Sequence, residues 1–298
     1  MPNPALNDNV FQRETSASQG AGSFTPGWGS PASELPPGVF APQAPGSPTP
    51  GAPTTGGPVQ TGGGETMTAR GAMSATGILL ALVIVAGWFG WQQVTVTITG
   101  VRPDGSEITS IDIPPWLMIA WIAGFAIAVL TIFKPKLARF TGPAYAVAQG
   151  LLVGAISRIY EIQFDGIVLQ AVMLTIAVFT IMLVLFATGT IKVTDKLRTG
   201  IIVATGAIAL VYLVTIVLGL FGAEVPMIHE AGPVGIGFSL LVVGIAAFNL
   251  LLDFDFIQKG VAMRAPKYME WYAAFGLMVT LIWLYLEILR LLAKLRER

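Results

Sequence analysis

Long apolar runs separated by short polar stretches dominate the chain from residue 72 to its end. A hydrocarbon layer about 30 Å thick needs roughly 20 residues of helix rising about 1.5 Å each. Seven runs come close to that length, at 74–94, 115–133, 143–160, 167–188, 199–221, 233–257 and 271–292. They are continuously apolar rather than alternating, which disfavours a β-barrel. The eight prolines beyond residue 70 (103, 114, 115, 135, 143, 226, 233 and 266) are expected in connections or in a span's first turn, where a missing N–H matters little. Helices broken in the manner of transporters are therefore not expected. The pattern predicts an all-α integral membrane protein with seven transmembrane helices over residues 71–298.

The first 70 residues follow a different rule. They hold 12 of the 20 prolines and 12 of the 34 glycines. Such a segment buries too little apolar surface to offset its ordering entropy and is expected to be a disordered arm. It lacks the basic start and short apolar stretch of a secretory signal.

Loop charge suggests an orientation. Connections after spans two, four and six carry Lys134, Lys136 and Arg139, then Lys192, Lys196 and Arg198, then Lys259, Arg264 and Lys267. Those after spans one, three and five carry one cation, Arg102, and the acids Asp104, Glu107, Asp112, Glu161, Asp165, Glu224 and Glu230. By the positive-inside tendency the N-terminus, and the arm with it, is cytoplasmic. Seven spans then send the C-terminus outside although it carries Arg290, Lys294, Arg296 and Arg298, an opposition that a half-inserted last pair would remove.

Composition narrows the chemistry. Only 11% of residues are charged, and 17 basic residues balance 17 acidic ones, so no basic surplus points to nucleic acid. There is no cysteine, and His229 is the one histidine, more often a surface residue in such a loop than a ligand. No G-x-S-x-G, Walker sequence or Gly-x-Gly-Asp occurs, so neither catalysis nor a cofactor is expected.

Ionisable groups within spans are the candidates for function, since each costs about 2.5 to 3.5 kcal/mol at mid-membrane on insertion scales. Asp253 and Asp255 fall late in span six and Glu287 in span seven. Antiparallel neighbours would bring one aspartate against Glu287, giving a coupled pair that shares a proton and, once ionised, suits a hard cation such as calcium. The competing reading has an aspartate meeting Lys259 at a helix end and Glu287 paired with Arg290 one turn on. Arg158 and Glu161 read as an interfacial i, i+3 pair. Gly150 and Gly154 form a G-x-x-x-G that lets helices approach, and Trp88, Trp91, Trp116 and Trp271 read as interfacial anchors.

Residues 254–258, 265–276 and 285–292, with Asn3-Pro4 and the stretch 149–157, resemble the bacterial, YccA-like branch of the Bax inhibitor-1 family. The resemblance implies a seventh helix enclosed by the other six, in a multi-pass protein of the bacterial plasma membrane. It also implies a pH-sensitive calcium leak gated by a carboxylate pair on helices six and seven, here Asp255 and Glu287, with Glu in place of the more usual Asp. An acidic residue sometimes found in the second helix is absent, leaving Lys134 as the expected latch to Asp255. The family is linked as well to a non-conducting role, as a regulator that binds a membrane protease or stress-response partner.

Overall fold

A computed structural model of the chain describes residues 65–101, 107–112, 114–221 and 232–297. Among these are seven long helices: α1 (Ala69–Gln93), α2 (Trp116–Phe133), α3 (Ala138–Gln163), α4 (Ile167–Ala187), α5 (Asp195–Leu220), α6 (Pro233–Ala262) and α7 (Met269–Arg296). The seven apolar runs are thus seven helices, most of them longer than expected because their polar end turns are helical too. Six are long and apolar enough to cross a bilayer. The remaining one, α3, carries Arg139, Gln149, Ser157, Arg158 and Glu161 but is 26 residues long and packs against α1, α2, α4 and α7, where protein shelters its polar groups. Pro143 departs from expectation: it lies inside α3 rather than in its first turn, and deprives the Arg139 carbonyl of a helical partner.

α7 is the centre of the bundle. It is the most buried of the apolar helices, and it contacts α1, α3, α4 and α6 directly. Its Tyr272, Phe275, Met278 and Leu284 are almost fully enclosed. α1 and α3 meet most closely of all, because Gly87 and Gly90 on α1 face Gly150, Leu151 and Gly154 on α3. A Cβ on Gly154 would overlap the Gly87 carbonyl, and one on Gly90 would overlap that of Leu151. α5 and α2 lie at the periphery, with apolar side chains such as Val203, Leu210, Met118 and Phe125 exposed to the lipid level.

Two local features were not anticipated. Thr95–Val101 and Glu107–Asp112 form an antiparallel hairpin between α1 and α2, in a chain expected to be all-α. Residues 65–68, expected within the disordered arm, are docked: Met67 N–H donates to the Ala265 carbonyl (2.7 Å), Lys267 N–H donates to the Glu65 carbonyl (3.0 Å), and the Met67 side chain is buried. Residues 1–64, including Asn3-Pro4, and His229 lie outside the described residues.

Candidate functional site

Asp255 and Glu287 are not a pair. Asp255 lies seven residues before the end of α6 and Glu287 eighteen beyond the start of α7. In an antiparallel hairpin that difference separates them by roughly 16 Å along the axis. They can share neither a proton nor a metal ion, and among the described residues no group of three acidic or histidine side chains could hold one.

Each carboxylate has its own cations instead. Asp255 Oδ2 accepts from Arg198 Nη2 of α5 at 3.1 Å and lies 2.9 Å from Lys259 Nζ, one turn further along α6. The expected latch, Lys134, is exposed at the end of α2 and makes no ion pair among the described residues. The residue missed was Arg198, read from the sequence as a loop cation and in fact carried on the first turn of α5. Asp253 is 2% exposed and forms part of the same buried stretch of α6. Glu287, also 2% exposed, accepts through Oε1 from the Tyr212 hydroxyl (2.8 Å) and from Arg290 Nη1 (2.9 Å). Arg290 Nη1 also donates to the Tyr212 hydroxyl (2.7 Å), and its guanidinium lies 5.2 Å from that ring's centroid. The local Glu287–Arg290 pairing is therefore the one realised, joined by a tyrosine from another helix.

These clusters belong to one polar seam. Between them, Asn249 Nδ2 of α6 donates to Thr205 Oγ1 of α5 at 2.8 Å, in a buried setting. Towards the far end, Lys294 of α7, itself buried, donates to Ser239 Oγ (3.0 Å) and the Gly235 carbonyl (3.2 Å) of α6. On α5 the participants are Arg198, Thr205 and Tyr212, at intervals of seven residues, which places them on one helix face. Hydrogen bonds between helices in lipid average about 0.6 kcal/mol each, so the seam holds α5 lightly.

The remaining candidates fall elsewhere. Glu161 does not pair with Arg158. Its two oxygens accept from the backbone N–H groups of Gly166 (2.7 Å) and Val168 (3.0 Å), capping α4, whose N-terminal dipole favours a carboxylate. Arg158 lies over the Trp91 ring, 5.3 Å from its centroid. Glu270, not singled out in the sequence, is buried where its Oε1 accepts from both the N–H and the hydroxyl of Thr68, the N-cap of α1.

Comparison with known proteins now bears on this geometry. A family model described as Bax inhibitor 1 like matches residues 3–297. The chain belongs to the Bax inhibitor 1 like family. No curated protein matches it. Family membership and six long apolar helices make it a multi-pass membrane protein in contact with the lipid bilayer.

Proposed function

We propose that this Bax inhibitor 1 like protein is a passive cation leak, with calcium as its principal ion, and that the pathway follows the α5–α6–α7 seam. The observation that carries the reading is the run of buried polar side chains through helices where apolar ones would insert more easily. The Arg198–Asp255–Lys259 cluster is the closed latch: while Asp255 is ionised, two cations hold it and tie α5 to α6. Neutralising Asp255 abolishes both attractions and frees α5, so acidification raises the leak.

The protein is read as residing in a bacterial plasma membrane with its N-terminus cytoplasmic, as the lysine- and arginine-rich connections favour. The basic C-terminus is compatible with an outer location, because Arg290, Lys294 and Arg296 are all engaged by protein, Arg296 donating to the Asp165 carbonyl at 2.6 Å. Reconstitution in liposomes, with calcium flux measured from pH 5 to 8, tests the reading. Asp255→Asn and Arg198→Gln should both leak at neutral pH and lose most of the pH dependence. Profiles identical to the parent in both variants would remove the latch.

A second reading, as a non-conducting regulator of a membrane protease or stress-response partner, is favoured by the docking of residues 65–68 beside Ala265 and Lys267, which fixes where the arm leaves the bundle. Deleting residues 1–64 should spare conduction and abolish partner binding if both functions coexist.

A further inference from the structure

On the side of the bundle away from the α5 seam, α1, α3, α4 and α7 enclose a groove of about 770 Å³. It opens sideways, where Ile84, Trp88 and Ile176 are exposed. Along α1 it runs from Leu80 to Trp91, roughly 16 Å at a helical rise of about 1.5 Å per residue, which matches one leaflet of a hydrocarbon core about 30 Å thick.

The few hydroxyls lining it are already satisfied. Ser157 Oγ donates to the Val153 carbonyl at 2.6 Å and therefore accepts from the Tyr285 hydroxyl at 2.7 Å, while Thr175 and Thr180 donate to carbonyls of their own helix. With its hydroxyl hydrogens spent and its lining overwhelmingly apolar, the groove offers a polar solute little to bond with, whereas a hydrocarbon chain loses nothing by entering. One polar group stands at the end marked by Trp91. The Arg158 guanidinium, half-buried and stacked on that ring, has no carboxylate partner among the described residues, since Glu161 is committed to the α4 cap. A planar guanidinium held at the interface suits bidentate contact with a phosphate.

We propose that this groove binds one glycerophospholipid, an acyl chain lying between α1 and α4 and the phosphodiester held by Arg158. The lipid belongs to the leaflet opposite the lysine-rich connections. The site is independent of the α5 seam, and its failure would leave the leak reading untouched.

The test uses the full chain in detergent, incubated with dioleoyl phosphatidylglycerol and weighed intact by native mass spectrometry. One lipid should be retained per chain. Arg158→Gln should weaken retention about tenfold, the loss expected for one charge-assisted contact. Ile176→Trp, which fills the open side, should abolish it. Dioleoylglycerol, with the same chains and no phosphate, should bind weakly and equally to the parent and to Arg158→Gln. Thermal melting of each variant within a few degrees of the parent confirms that the bundle is intact, and Val172→Phe replaces Ile176→Trp if that variant melts early. The proposal is overturned if retention is unchanged in Arg158→Gln and in the filled variant. It is also overturned if bound lipid rises in proportion to lipid added without saturating, or if the groove proves to be covered by a second copy of the chain in a dimer that Ile176→Trp dissociates.

Discussion

Between α1 and α3, glycines bring two backbones so close together that a Cβ on Gly90, Gly150 or Gly154 would overlap the facing helix. Between α5 and α6 the contact rests on polar side chains spaced along the helix: Arg198 on Asp255 and Thr205 on Asn249, with Tyr212 reaching past α6 to α7. The first interface gains from many close dispersion contacts, which add up and do not depend on protonation. The second depends on a few hydrogen bonds and ion pairs, each of which one proton or one substitution can remove. A bundle built this way has a fixed half and a half that can be released.

Four substitutions test that division. Gly154→Val should have the largest effect, because the Gly87 carbonyl cannot move aside. Over-packing of a tight interface costs up to about 3 kcal/mol, and the loss should appear as a lower midpoint in thermal unfolding in detergent. Glu270→Ala comes next. It strips the Thr68 N–H and hydroxyl of their buried acceptor and removes a carboxylate from the α1 N-terminus, for about 2 kcal/mol in the same measurement. Asn249→Leu should cost only about 0.6 kcal/mol yet raise calcium leak measurably in liposomes. A stability loss as large as that of Gly154→Val would show the seam to be as rigid as the glycine interface. The smallest effect belongs to Lys267→Gln. Its amine, exposed beside the α6–α7 connection, lies 2.5 Å from Glu65 Oε2, and that carboxylate raises its pKa above the ordinary lysine value. A raised folded-state pKa means that the contribution is fully present at neutral pH and disappears only as pH climbs through the raised value. The variant should therefore differ from the parent below that range, through faster proteolysis at residues 65–68, and converge with it above.

Most of the architecture was legible because a bilayer imposes a length on each apolar run, and seven such runs became seven helices. Asp253, Asp255 and Glu287 were legible as residues because charge within an apolar run is conspicuous. Lys259 and Arg290 were legible as partners one turn away, but Arg198 and Tyr212 were not, since they reach Asp255 and Glu287 across 57 and 75 residues of chain and only packing sets those meetings. One signal was available: Arg198, Thr205 and Tyr212 recur at seven-residue intervals, the spacing of one helix face. The hairpin has a signal too, in the alternation of Thr95, Val96, Thr97 and Ile98 just beyond the first apolar run. Arg158 and Glu161 failed for a different reason. Spacing of i, i+3 permits a pair, but the N-terminus of α4, whose N-cap Gly166 lies five residues beyond Glu161, offered its carboxylate two N–H donors instead.

The seven-residue interval on α5 bears on how a release would proceed. Because its three polar residues share one face, a rotation of α5 about its own axis carries all of them away from their partners together, and no partial turn keeps one contact while breaking the others. Such a helix behaves as a catch with two positions. Loss of the single charge on Asp255 would therefore be felt as far along the helix as Tyr212, where the contact with Glu287 lets go at the same moment.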